Sequence, residues 1–122
     1  MARRDEDQIH RAIVSHLRVV LPDALLSHAR NEGNRRGKAG VIDGARGKSL
    51  GVCPGYPDLV MYWQGEVIHW EIKTPKGRLS AAQKAVRDRI EREGHAYAVV
   101  RSIDDVKERL EVWGIASKGK AR

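Results

Sequence analysis

Three charged side chains occur where the sequence is otherwise apolar. Asp58 precedes the run "LVMYW", and Glu71 and Lys73 close the run "EVIHWEIK". Both runs are rich in β-branched and aromatic residues and predict strands, and Gln64-Gly65 between them predicts a tight hairpin. Counting outward from that turn places Asp58 directly opposite Glu71. Side chains paired in this way have Cβ atoms about 4.5–5.5 Å apart.

Two carboxylates in such a pair repel each other. The repulsion is relieved when one of them binds a proton or when both bind a divalent cation. Oxygen ligands suit Mg²⁺ or Mn²⁺ rather than zinc, and such ions keep waters that can be activated. Lys73, on the same face as Glu71, could orient or polarise that water or balance the charge of a phosphate. The structural alternative is that Lys73 only neutralises the acid pair.

The other face of the predicted hairpin is entirely apolar. Six residues alternate onto it: Leu59, Met61, Trp63, Ile68, Trp70 and Ile72. This face must pack inward, which fixes the register because a slip of one residue would exchange the two faces.

The rest of the chain predicts the elements that hold the hairpin. Helical periodicity or capping residues indicate helices at 5–20, 80–93 and 103–113, and two further strands are predicted at 24–32 and 95–101. The order is helix, three strands, helix, strand, helix, which describes an α/β domain with a mixed sheet of about four strands flanked by helices. We expect one domain over residues 1–116 and a basic, disordered tail at 117–122.

The charge of the chain indicates a polyanionic partner. The formal net charge is +7 and the pI is about 9.9. Nucleic acid is the commonest such partner, and an anionic membrane surface is the alternative. No apolar run approaches membrane-spanning length and no signal peptide is evident, so we expect a cytoplasmic protein with no membrane association. The lone Cys53 can form no internal disulfide.

A glycine-rich segment immediately precedes the hairpin. Residues 33–51 contain six glycines and five basic side chains: Arg35, Arg36, Lys38, Arg46 and Lys48. We expect a mobile basic loop here. With this loop next to the acids, metal-assisted cleavage of a phosphodiester becomes a better interpretation than simple neutralisation by Lys73.

Together these strings resemble a known family. "PD", twelve intervening residues and "EIK" resemble the PD-(D/E)XK nuclease superfamily. More narrowly, "GYPDLVMYW…VIHWEIKTPKGRLSAAQ" followed by "GHAYAVVRS" is similar to a stand-alone VRR-NUC (virus-type replication-repair nuclease) domain. The resemblance extends from about Glu6 to Trp113. The short PD…EXK pattern recurs by chance, whereas the extended string is specific.

The resemblance implies roles for particular residues. It assigns metal ligation to Asp58 and Glu71, with the carbonyl of Ile72 as a further ligand, and gives Lys73 the role of the catalytic lysine. Lys76 and Arg78 would contact phosphates at the rim of the site, and the five basic residues of the 33–51 segment would order on DNA.

Two further positions have competing interpretations. Glu6 lies in the middle of the apolar stripe of the first helix; alone, that suggests a frayed first turn, but the superfamily often has an acid on this helix. The resemblance makes Glu6 the third acid if the helix covers the acidic face of the hairpin, with Glu32 as the competitor. Gln83 matches the family's glutamine, yet Ser80-x-x-Gln83 is also a capping box.

The resemblance also implies an activity. We expect a Mg²⁺- or Mn²⁺-dependent deoxyribonuclease in which a metal-activated water attacks the phosphodiester. Stand-alone members resemble homodimeric Holliday-junction resolvases, so a dimer acting on branched DNA in DNA repair, in a bacterial or phage-infected cell, is the specific expectation. The alternatives are a monomeric flap or single-strand nuclease and a basic DNA-binding module without catalysis.

Overall fold

The structure, a computed structural model, describes residues 2–29 and 50–115. Its elements follow the predicted order. The helices are α1 (Ala2–Val20), α2 (Ala81–Arg92) and α3 (Ile103–Val112), and the strands are β1 (Leu25–His28), β2 (Leu59–Trp63), β3 (Glu66–Ile72) and β4 (Ala96–Val100). The predicted fold class, a mixed α/β domain, is confirmed.

The four strands form one open sheet in the order β1-β2-β3-β4. The first two pairings are antiparallel, and β4 joins β3 in parallel after the crossover through α2. The hairpin register is the one obtained by counting, with Trp63 opposite Glu66 and Leu59 opposite Trp70. Gln64 and Gly65 have φ values of +46° and +82°, the left-handed pair that a tight hairpin turn requires.

The hydrophobic core lies between the apolar face of the sheet and two helices. Ile13 and Leu17 of α1 and Val106 of α3 are fully buried against Trp70 and Ile72 of β3. Leu59, Met61, Ile68, Val100 and Leu110 complete this layer. The alternation read from the sequence therefore describes which hairpin residues enter the core.

The face that carries the acids is covered by a different helix. α2 follows β3 and packs near β4, and none of its residues is fully buried. It begins at Ser80, whose side chain accepts a hydrogen bond from the Gln83 amide. α2 therefore forms a lighter layer on this side, with its first turn near the end of β3.

Candidate active site

Asp58 and Glu71 meet at the open end of the hairpin. The ladder pairs Leu59 with Trp70, so the next residues outward are Asp58 and Glu71. Asp58 lies at a bend before β2, and its Oδ2 accepts a hydrogen bond from the Ile72 amide at 2.8 Å. The strand opposite thus holds Asp58 in place.

Glu71 is almost fully buried, with 2% of its surface exposed. Its Oε2 accepts a hydrogen bond from Gln83 Nε2 at 3.0 Å, and Lys73 Nζ lies 3.8 Å from the same oxygen. Its Oε1 is buried and has no hydrogen-bond partner among the described residues. Buried carboxylate oxygens normally have partners, so Oε1 marks the position where a proton or a cation is needed.

The surroundings of Glu71 favour its uncharged form. Burial, and then the nearby charge of Asp58, raise the pKa of Glu71 to about 9, although Lys73 acts in the opposite direction. The Asp58 side chain, which can accept a hydrogen bond from protonated Glu71, contributes in the same direction as burial. At neutral pH Glu71 therefore keeps its proton, unless a cation takes the place of that proton.

The residues present suit a hard divalent cation. Two carboxylates, one with an unpartnered buried oxygen, are a donor set that Mg²⁺ or Mn²⁺ can use while keeping several waters. Within residues 2–29 and 50–115, no three His, Cys, Asp or Glu side chains converge on one position. Of the described side chains, Asp58 and Glu71 are therefore the two that the structure brings together for an ion, and Glu6 as a third ligand stays a prediction. The carbonyl of Ile72 remains a prediction.

Glu6 approaches this site in a way that differs from our expectation. α1 packs on the apolar face of the sheet through Ile13 and Leu17, so it does not cover the acidic face. Its first turns lie at the end of the sheet where the acids are, since the His10 ring is 4.4 Å from the His28 ring. Glu6 is half-buried, and its charge raises the pKa of Glu71.

The helix periodicity was compatible with either face, because it defines an apolar stripe but not the surface that the stripe meets. Glu6 as a third acid stays a prediction. It would reach the site from the end of the sheet, and not from a helix that covers the acidic face. The competitor, Glu32, lies outside the described residues.

The two interpretations of Gln83 are compatible, because its side chain completes a capping box and also contacts Glu71. Its Oε1 accepts a hydrogen bond from the Ser80 amide at 2.8 Å, and Ser80 Oγ accepts one from the Gln83 amide at 3.1 Å, which completes a capping box. The Nε2 of the same side chain donates to Glu71. One amide group therefore fixes the start of α2 and orients the buried carboxylate.

The basic residues are only partly described. Lys76 and Arg78 are exposed and follow β3 within a few residues of Lys73, in and just after the turn at 74–77. Their contact with phosphates stays a prediction. Arg35, Arg36, Lys38, Arg46 and Lys48 lie outside the described residues.

Two features of the site were missed in the sequence. Arg101 Nη1 donates to the carbonyls of Thr74 and Gly77, across the parallel strand pair. Gly55 has φ of +86°, and a Cβ there would lie 2.6 Å from the carbonyl of Ala82, so the loop before Asp58 touches the first turn of α2. The available signals were an arginine that ends an apolar strand and a glycine two residues before Pro-Asp, but neither reveals its partner.

At the end of a mixed four-stranded sheet, a buried glutamate faces a half-buried aspartate with a lysine beside them, in an α/β domain of nuclease type. The chain matches the model of the VRR-NUC domain over residues 5–104 and belongs to this family. It is also similar in fold to a solved structure described as a "VRR_NUC domain protein", with a TM-score of 0.62 and 21% identity, covering 87% of this chain and 84% of that one.

No curated protein matches the chain. None of the described helices has the length and apolar character needed to cross a membrane.

Proposed function

We propose that this domain is a Mg²⁺- or Mn²⁺-dependent DNA endonuclease whose site is built on Asp58, Glu71 and Lys73. The observation that carries the proposal is Glu71 Oε1, a buried oxygen without a partner, on a carboxyl group that faces Asp58. A purely structural acid pair would be expected to have its oxygens satisfied by the protein. When bound, a divalent ion supplies positive charge that polarises a phosphodiester and activates water.

The side chains of the protein have separate parts in this proposal. Asp58 and Glu71 hold the ion, with the Ile72 carbonyl and Glu6 as further candidate ligands. Asp58 is pre-oriented by the Ile72 amide, and Glu71 by Gln83. The ammonium of Lys73, 3.8 Å from Glu71 Oε2, is close enough to the acids to stabilise charge on a phosphate that binds there.

The substrate we propose is branched DNA, and the functional unit a homodimer. The family and the formal net charge of +7 support a DNA substrate. A twofold axis would place two such sites on opposing strands of a four-way junction, as in Holliday-junction resolution during DNA repair. The phosphate contacts would come from Lys76, Arg78 and the basic residues of the 33–51 segment.

Cleavage of a panel of DNAs tests the proposal. Purified protein is incubated with a four-way junction, a flap and a linear duplex in Mg²⁺, Mn²⁺ or EDTA, while light scattering gives its mass. We expect cutting of the junction only with metal, and loss of at least about 100-fold in Asp58→Asn and Lys73→Ala. The exposed residues Asp88 and Lys107 provide matched controls, as Asp88→Asn and Lys107→Ala.

Each alternative has its own outcome. Cutting that persists in Asp58→Asn and Lys73→Ala would overturn the assigned site. Preferential cutting of flaps by a protein with monomer mass would favour the flap nuclease. Salt-sensitive DNA binding without product under any metal condition would identify a non-catalytic binding module.

A further inference from the structure

The turn that follows the lysine strand is held by a single guanidinium. Arg101, the residue after β4, donates from Nη1 to the carbonyl of Thr74 at 2.6 Å and to that of Gly77 at 2.7 Å, with Pro75 O at 3.4 Å. A charged donor shared among backbone carbonyls forms strong hydrogen bonds. Three of the four residues of the 74–77 turn thus have their carbonyls directed at one side chain from another part of the sheet.

Arg101 is itself fixed to the beginning of α3. Its backbone amide donates to Asp105 Oδ2 at 2.8 Å, and the Asp105 amide donates to Ser102 Oγ at 3.2 Å. The guanidinium therefore extends from a capped helix start, an anchor that belongs to the core side of the domain. This anchor makes the turn part of the rigid structure rather than a free loop.

Held in this position, the 74–77 turn restricts the side chain of Lys73. Its own closing bond joins the Gly77 amide to Thr74 O at 3.0 Å, and the Lys73 amide donates to Val100 O at 3.0 Å. A methyl group added at Gly77 would lie 3.4 Å from Lys73 Cδ and 3.5 Å from Lys73 Cβ, so the stem of the lysine runs beside the turn. A long, flexible side chain next to a held turn has fewer directions open to it, and the direction that it takes places Nζ 3.8 Å from Glu71.

We propose that Arg101 is a positioning residue for Lys73. It touches neither the acids nor the substrate; it holds the 74–77 turn, and the turn holds the lysine where the reaction needs it. The proposal rests on the function proposed above, and it assigns to Arg101 an effect on the rate of cleavage rather than on the binding of DNA.

A double-mutant cycle tests this coupling. We expect Arg101→Ala to slow single-turnover cleavage by about 10- to 100-fold, because small misplacements of a catalytic group are costly. The same change in a Lys73→Ala background is expected to alter the residual rate by less than about twofold, since the group that it positions is gone. Arg92→Ala, which removes an exposed guanidinium from α2, is the matched control and is expected to leave the rate unchanged.

Two further measurements separate positioning from other roles. DNA affinity in Ca²⁺ is expected to stay within about twofold of the wild type, with an unchanged salt slope, because Arg101 makes no phosphate contact. The rate at which Lys73 is acetylated by a water-soluble active ester, followed by mass spectrometry, and hydrogen exchange at the Gly77 amide are both expected to rise in Arg101→Ala.

Several results would overturn the proposal. Equal slowing in both backgrounds, or a salt slope reduced by about one, would make Arg101 a structural residue or a phosphate contact. Unchanged Lys73 acetylation and Gly77 exchange would show that the turn does not depend on it. If the wild type cuts no DNA, the proposed function fails, whereas acetylation and exchange still decide whether Arg101 holds the lysine.

Discussion

Glu71 is a carboxyl group that the fold holds in its uncharged form. Below about pH 4.5 it is protonated in both the folded and the unfolded chain, whereas in the folded protein its pKa is raised to about 9 by burial and by Asp58. Between these values the unfolded chain releases the proton and the folded protein keeps it. Glu71 therefore lowers the free energy of unfolding progressively as the pH rises through this window.

Replacing Glu71 by glutamine should remove this penalty. We expect Glu71→Gln to unfold at a higher temperature than the wild type. Its free energy of unfolding should exceed that of the wild type by about a few kcal/mol at pH 8 and by much less at pH 5. Glu66→Gln changes an exposed acid of the same strand and should show no such trend. Thermal melts from pH 5 to 9 give the comparison; a gain independent of pH would contradict the raised pKa.

The same substitution should also abolish the response to metal. Mn²⁺ is expected to raise the melting temperature of the wild type, because it binds the folded state, and to do so more at pH 8 than at pH 5, where protons compete for the carboxyl pair. Glu71→Gln should show little specific shift. A Mn²⁺ response retained in Glu71→Gln would place the ion elsewhere.

The two roles of Gln83 can be separated by substitution. Ser80→Ala removes the hydroxyl of the capping box and leaves the amide facing Glu71, so we expect a loss of about 1 kcal/mol in stability and an unchanged cleavage rate. Gln83→Glu keeps an acceptor for the Ser80 amide but places a second carboxylate against Glu71. Its cleavage rate should fall; equal rates in the two variants would show that the contact with Glu71 is unimportant.

At the scale of the elements, the hairpin was predictable and the helix placement was not. A short turn and alternating residues fix which side chains face each other, so Asp58 and Glu71 could be paired by counting. The face that α1 covers depends on a packing choice between distant segments, and so it could not be read from local periodicity. Gln83 was found as a capping residue by its spacing from Ser80 and as a site residue by the family resemblance, whereas only the structure shows that it makes both contacts at once.

Gly55 lies where the loop before Asp58 meets α2. Gly65, a second glycine with positive φ, provides a control. Both have positive φ, but a Cβ at Gly55 would lie 2.6 Å from backbone atoms of Ala82 while one at Gly65 would meet nothing within 4 Å. Gly65→Ala is expected to cost about 1 kcal/mol from its backbone conformation alone. Gly55→Ala should cost about 2–4 kcal/mol and reduce cleavage, because it pushes the loop before Asp58 away from α2.

Denaturant unfolding of both variants measures this difference. Equal losses of stability would mean that the loop and α2 are not in close contact.

For the whole molecule, we expect charge rather than fold to govern the encounter with DNA. Each phosphate contact contributes about 0.9 to the slope of log K against log salt. Substituting glutamine for the basic residues of the 33–51 segment (Arg35, Arg36, Lys38, Arg46 and Lys48) should lower the slope by up to about 4.5. A control removes the same number of exposed charges elsewhere: Arg11, Arg18, Arg89, Arg92 and Lys107.

Fluorescence anisotropy in Ca²⁺ gives these slopes. An equal reduction in the two variants would show that only total charge matters and that the glycine-rich segment has no special part in binding.

Contacts across the whole chain explain what the sequence could not provide. Arg101 and Thr74 are separated along the chain by the whole of α2 and β4, and no local pattern connects an arginine after a strand with a turn after another strand. Their proximity follows from the parallel pairing of β3 with β4, which aligns the ends of both strands. Such pairs become visible only when the topology is known.

The hairpin register also determines where residues can be inserted without displacing the acids. Additional residues inserted between Gln64 and Gly65 would lengthen the tip and leave both arms in step, so the carboxyl pair at the far end would persist. A single residue inserted within either arm would reverse the faces of the positions beyond it. One acid would then turn toward the core, and Leu59 or Met61 in β2, or Trp70 or Ile72 in β3, would turn to the opposite face. The tip is therefore the natural position for grafting a tag or a probe, whereas neither strand tolerates the insertion of one residue.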